Sequence, residues 1–180
     1  TATGNGLNTP VGYAETVIGI AAERVGLPLR EVRDHFAAQG SQDDLIEASS
    51  QLRGTAITLF KIANDLRWSA SGPHSGLGEL HIPELQPGSS IMPGKASPVG
   101  CEIMLQLCAQ VLGNDSAIAF AGTQGNHQLN TFLPLMARNL LSSADLLART
   151  TAPFASTVVA ALTVDIERCR TNAEASPAIA

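Results

Sequence analysis

The clearest pattern in the chain is a set of leucines that recur every seven residues. The leucines alternate with small residues, and together these positions are Leu45, Ser49, Leu52, Ala56, Leu59, Ala63 and Leu66. This 4-3 spacing indicates one seam of a long helix packed in a bundle. Small side chains between the leucines would let a neighbouring helix approach closely. The pattern predicts a helix of nearly thirty residues, about 40 Å long.

Polar residues and helix-breaking residues predict where the helices begin and end in the first half of the chain. A capping box of Ser41 and Asp44 is expected to start the long helix, which should end near residues 71–73. Two shorter helices are predicted before it. One has Thr9 as N-cap and runs from Pro10 to Val25; the other covers about residues 29–38.

Two more long helices are predicted in the second half. The first has Ser97 as N-cap and Pro98 at the first position, and it runs towards Ala121. The next covers about residues 126–148, with a break near Pro153. Residues 80–85 suit a short strand or hairpin, and residues 163–175 a last helical piece. The predicted fold class is therefore all-α, a bundle of long helices.

Composition agrees with helices and excludes some classes of function. Hydrophobic residues make up 44% of the 180 residues and aromatic residues only 4%, which favours helix over sheet. The net charge of −5 comes without a basic stripe, so no nucleic acid partner is expected. No apolar run reaching the length of a membrane span was found, and no signal peptide, so no membrane partner is expected.

Low charge and cysteine usage add two further expectations. Charged residues make up only 15% of the chain, which favours an oligomer whose interfaces cover much of the surface. The three cysteines form no CxxC pair, so we expect no zinc site and a reducing cytoplasm. Cys101 and Cys108 lie seven residues apart, on one helical face, and are expected to be packed rather than reactive.

Candidate chemistry lies in a glycine- and proline-rich loop between two predicted long helices. Ser89, Ser90 and Lys95 lie on it. A serine hydroxyl acts as a base only if its ionised form is stabilised, and backbone amides, a helix N-terminus and an ammonium can all do so. The same groups suit a bound carboxylate. From spacing alone, the loop is either a binding lid or an ordinary surface turn; the GxxxxGK[ST] phosphate loop and the GxSxG elbow are both absent.

The loop Gly88-Ser89-Ser90-Ile91-Met92-Pro93-Gly94-Lys95 resembles the GSSxMPxKxNP loop of the aspartase/fumarase superfamily. Other segments resemble class II fumarases in the same order along the chain: residues 6–8, 61–68, 71–73, 113–115 and 125–130. The resemblance implies a central helical-bundle domain over residues 1–162, a lid loop, and the start of a small C-terminal domain at 163–180. It also implies a homotetramer with active sites shared between subunits.

The resemblance assigns roles to residues that match. Ser89 matches the catalytic base, and Ser90 and Lys95 match groups that hold the substrate carboxylates. Ala96 and Ser97 fall at substrate-binding positions, where the family has valine and asparagine. Glu102 matches a carboxylate that supports the acid-side histidine. The family's Thr-His pair and other substrate segments would precede Thr1, so we expect this chain to carry one third of a site.

The implied activity is that of a cytoplasmic lyase of the tricarboxylic acid cycle, which reversibly hydrates the small dicarboxylate fumarate to (S)-malate. The resemblance implies neither cofactor nor metal. Trp68 and the segment 125–126 favour a fumarase, whereas residues 8–10 and 83–86 favour aspartate ammonia-lyase, which uses the same serine and lysine. A non-catalytic helical assembly protein is the third alternative, motivated by Ser97 and by the absence of the Thr-His region.

Overall fold

The computed structural model describes residue 4, residues 6–127 and residues 129–179. Its α-helices are α1 (Tyr13–Val25), α2 (His35–Gly40), α3 (Asp43–Ser69), α4 (Val99–Gly122), α5 (Leu133–Phe154) and α6 (Ile166–Glu174). A π-helix (Ala155–Val159) continues α5, and a short 3-10 helix (Pro177–Ile179) follows α6. Two short strands are β1 (Leu80–His81) and β2 (Thr163–Val164). The all-α prediction is confirmed.

The core lies where α3, α4 and α5 pack side by side. The predicted seam of α3 is confirmed, and its small residues are the most buried ones: Ala56 and Ala63 are fully inaccessible. The leucines between them are partly buried and pack against the same cluster. Alanine has no side chain beyond Cβ, so α4 can lie close to the α3 backbone at these positions.

Helix α4 is the central helix of the bundle and packs against both α3 and α5. One side of it is buried, including Cys101, Met104 and Ile118. Its buried polar residues are paired: Asp115 accepts hydrogen bonds from Ser49 (2.7 Å) and Arg53 (2.8 Å) of α3. By length and composition alone, α4 could also cross a membrane, so the expectation that no such segment exists is wrong. A core helix of a bundle meets the same criterion.

The predicted break at Pro153 is wrong. Helix α5 passes through Pro153 to Phe154 and continues as the π-helix, in which the amide of Ala160 donates to Ala155. Proline lacks an amide hydrogen and disturbs the helical ladder before it. The wider π-turn follows directly after Pro153, and within it the Thr157 hydroxyl donates to the Pro153 carbonyl (2.8 Å).

Several predicted helix starts are also wrong by a few residues. Helix α1 begins after Gly12, not at Pro10. Ser41 ends α2, where its amide donates to Ala37, so it forms no capping box with Asp44. Helix α4 starts after Pro98, and the Ser97 side chain does not cap it. Because Ser41 already forms the C-terminal end of α2, it is not available to cap α3.

Strand β1 pairs with β2, from the far end of the chain, rather than forming a local hairpin. Leu80 lies opposite Val164 and His81 opposite Thr163 in an antiparallel ribbon. The ribbon connects the loop after α3 to the start of α6. The assignment of residues 163–180 to a separate domain stays a prediction.

Candidate active site

The glycine- and proline-rich loop between α3 and α4 closes on itself at a narrow neck. The amide of Gly88 donates to the carbonyl of Lys95 (3.1 Å), and the amide of Lys95 donates to the carbonyl of Met92 (3.3 Å). A Cβ atom on Gly88 would overlap the Lys95 carbonyl and lie 2.8 Å from the Ser97 amide nitrogen. Glycine is therefore required for the two sides of the neck to approach.

Ser89 lies just inside this neck and is half-buried. Its Oγ accepts hydrogen bonds from the amides of Met92 (3.1 Å) and Ile91 (3.3 Å). Donors directed at an oxygen favour its ionised form. The two amides are thus placed where they would stabilise an ionised Ser89 oxygen, while the next residue, Ser90, is exposed.

Lys95 and its neighbours lie on the other side of the neck. Gly94 has a φ of 74°, which turns the chain there. Lys95 and Ala96 are exposed, and Ser97 is half-buried against Gly88. The Lys95 ammonium has no ion-pair partner within the described part of the chain. It is a free positive charge beside the loop.

Glu102 lies in the first turn of α4, half-buried. The loop leads directly into this turn, so Glu102 and Lys95 lie at the same end of the bundle. Burial raises the pKa of the neighbouring Cys101 thiol, while the positive charge of Arg67 lowers it and the negative charge of Glu102 raises it. Among the described residues, no histidine hydrogen-bonds to Glu102.

A cavity of about 320 Å³ lies between the end of α3 and the end of the loop. Its lining residues are Arg67, Trp68, Ala70, Ser71, Gly72, Ala96 and Pro98. None is acidic, so Arg67 makes the cavity attractive to an anion. Ala96 is a predicted substrate-binding residue, whereas Arg67 carries no predicted role; its position in the last turn of a predicted helix is the signal in the sequence that points to it.

Other parts of the described chain offer fewer side chains that could take part in a reaction. Larger cavities, of about 610, 650 and 380 Å³, lie around α2, around α1, and between α2 and the end of α4, and none of these includes a residue of the loop. No group of three metal-binding side chains occurs among residues 4, 6–127 and 129–179. His35 pairs with Glu31 and His81 with Asp165, and neither histidine bonds to Ser89. The loop with its adjacent cavity is the best candidate site.

Known proteins are similar to this chain in both sequence and fold. Residues 1–113 match a family described as lyase. Class II fumarate hydratase of Corynebacterium efficiens is 49% identical over 180 residues, which cover 99% of this chain and 38% of that protein. The chain therefore spans well under half the length of this relative.

Two solved structures have the same fold. Class II fumarase from Schistosoma mansoni aligns with a TM-score of 0.87 at 33% identity, over 95% of this chain and 39% of that one. A fumarate lyase:delta crystallin from Brucella melitensis, bound to cobalt, also gives 0.87, at 43% identity over 98% of this chain and 38% of that one. The family match, the identity and the fold agree: the chain belongs to the lyase family of the aspartase/fumarase superfamily.

Proposed function

We propose that the protein reversibly hydrates fumarate to (S)-malate, with Ser89 as the base and Lys95 and Ser90 as ligands of the substrate carboxylates. The observation that carries the proposal is the pair of amides, from Ile91 and Met92, that donate to Ser89 Oγ inside a loop ending at an unpaired lysine. Family membership and identity to class II fumarate hydratases support the same reaction.

In the dehydration direction, the ionised Ser89 oxygen would remove a proton from the carbon next to a malate carboxylate. The electron pair moves into that carboxylate and gives an aci-carboxylate dianion. The dianion then re-forms the carbon–carbon double bond as the hydroxyl group, protonated by an acid, leaves as water. Charge develops on the carboxylate in the first step, and Lys95 and the N-terminus of α4 can stabilise it because both are positive and already in place.

The remaining candidate residues have supporting roles in this proposal. Arg67 is a second cation, on the cavity wall beside Ala96, and suits the other carboxylate of the substrate. Glu102 is proposed to orient a histidine on the acid side. Ser97 is shorter than the family's asparagine and offers a hydroxyl in place of an amide, so we expect weaker binding at that position.

The site is proposed to be completed by other subunits of a homotetramer, which acts in the cytoplasm. The exposed apolar residues of the bundle, such as Phe120 on α4 and Leu141 on α5, support an assembled state. Small dicarboxylates are the proposed substrates.

The activity is tested by following fumarate through its ultraviolet absorbance in the full-length protein. Fumarate formed from malate supports the proposal. Fumarate formed only from aspartate would identify an ammonia-lyase instead, and no turnover of either substrate would leave a non-catalytic assembly protein.

Replacement of the base tests the role of Ser89. We expect Ser89→Ala to lower kcat by about 10²- to 10⁴-fold, the usual contribution of a positioned base, without changing assembly. Ser116→Ala is the matched control, because Ser116 is an exposed serine of α4 whose hydroxyl, among the described residues, donates only to the Leu112 carbonyl. A Ser89→Ala protein with most of its rate would remove Ser89 from this role.

A further inference from the structure

Helix α6 holds the segment between α3 and β1 through a cluster of side-chain hydrogen bonds. Arg168 donates from Nε to the carbonyl of Leu77 (2.9 Å) and from Nη2 to the carbonyl of Gly76 (3.3 Å). Asn172, one turn later, donates to the Leu77 carbonyl (3.2 Å) and to the Glu79 carboxylate (3.0 Å). These bonds join residues more than ninety positions apart in the chain.

The backbone keeps Arg168 in place for these contacts. The Asp165 amide donates to the Glu79 carbonyl (2.9 Å), which aligns the start of α6 with the segment. The Asp165 carboxylate in turn accepts from the Arg168 amide (2.9 Å) and caps the helix. The guanidinium lies over Gly78, whose φ of 64° suits glycine. Arg168 is therefore held at both its backbone and its side chain.

The other side of the same segment is a wall of the candidate cavity. Gly78 donates from its amide to the Ser71 carbonyl (2.8 Å), and Leu77 donates to the Ser71 hydroxyl (3.2 Å). Ser71 and Gly72 line the cavity together with Arg67 and Ala96. A continuous set of hydrogen bonds thus runs from Arg168, through residues 76–78, to the cavity wall.

We propose that Arg168 and Asn172 are positioning residues, which hold residues 71–78 in the shape that binds a small dicarboxylate. The proposal rests on the proposed function for the identity of the ligand. Arginine suits this task because its planar fork can bond two carbonyls at once, whereas a lysine ammonium acts as a point charge. Neither residue lines the candidate cavity, so we expect their loss to weaken substrate binding more than it slows the chemical step.

Steady-state kinetics of the full-length protein test this role. Arg168→Ala is expected to raise KM for malate about ten-fold or more, the size expected for a lost charge-assisted hydrogen bond, with kcat changed less than three-fold. Arg168→Lys should recover part of the KM, because it restores one donor. Arg170→Ala is the matched control: Arg170 lies on the same helix, is exposed, and pairs only with Glu167 within the part of the chain that the structure describes.

Hydrogen exchange of the Gly78 and Glu79 amides provides a measurement that does not need activity. Both amides donate to residues 69–71, and we expect their exchange to accelerate about ten-fold or more in Arg168→Ala and in Asn172→Ala, but not in Arg170→Ala. If Arg168→Ala does not fold, Arg168→Lys and Asn172→Ala decide the test.

The outcomes separate this inference from the proposed function. Unchanged exchange in the Arg168 and Asn172 variants would overturn the positioning role, even in an active fumarase. Faster exchange with unchanged KM would also overturn it, since the segment would then be held for stability alone. A wild-type protein that does not hydrate fumarate would refute the proposed function, while the exchange rates would still report whether α6 holds the segment.

Discussion

The candidate role of Ser89 depends on backbone amides rather than on a neighbouring side chain. In the described part of the chain, its Oγ is bonded by the amides of Ile91 and Met92, and by no histidine or carboxylate. Amides cannot take up the proton, so they stabilise the ionised oxygen without acting as bases themselves. The short loop, with Gly88 at its neck, is what places these amides.

Two buried thiols predict how the free energy of unfolding depends on pH. Burial raises the pKa of both Cys101 and Cys108 above the ordinary value of 9.0. In the unfolded chain these thiols ionise at a lower pH than in the folded protein. Their contribution to the free energy of unfolding is therefore complete below pH 9.0 and is lost as the pH rises through the folded pKa values.

Denaturant titrations of the full-length protein between pH 7 and 10.5 measure this loss as a falling free energy of unfolding. The double variant Cys101→Ala/Cys108→Ala should show a flatter decline over the same range, because it lacks both buried thiols. Equal slopes in the two proteins would contradict the prediction.

At the scale of elements, the contact between α3 and α4 sets the shape of the bundle. Ala56 and Ala63 are fully buried, and Asp115 pairs with Ser49 and Arg53 across the same contact. The alanines allow a close approach, and the polar group specifies the register at which it occurs, because any shift would leave a buried carboxylate unpaired.

Overpacking this contact should destabilise the bundle. Ala63→Leu adds three carbon atoms where α4 leaves no space, and we expect a loss of about 1 to 3 kcal/mol in the free energy of unfolding. Ala48→Leu is the matched control, because Ala48 is an exposed residue of the same helix. Chemical denaturation compares the two variants, and similar stabilities would show that the contact is looser than described.

At the scale of the whole molecule, much apolar surface is left uncovered. Helix α1 buries none of its residues, and α4, which is central to the core, still has Ile103 and Phe120 half or more exposed. Surfaces of this kind are typical of subunit interfaces. They agree with the proposed tetramer, in which further subunits would pack against the same bundle.

A charge on this surface should disrupt the assembly. Phe120 is 63% exposed on α4, and Phe120→Glu would bury an unpaired carboxylate at an interface. We expect light scattering to show a smaller species than the tetramer, with malate turnover lost in parallel because the sites are shared. A variant of unchanged mass at micromolar concentration would place Phe120 outside any interface.

The sequence by itself determined the helical class and the seam of α3. The heptad spacing of Leu45 to Leu66 is a local property of one helix, and so is the burial of Cys101 and Cys108, seven residues apart. The roles of Ser89 and Lys95 followed from a family resemblance, and they stay predictions.

Only the tertiary structure decided the pairing of β1 with β2, the passage of α5 through Pro153, and the contact of Arg168 with residues 76–77. Local propensity ends a helix at proline and pairs a strand with its neighbour in the chain. Packing against distant elements overrides both, because the energy comes from residues far apart in sequence, whose proximity no local pattern records.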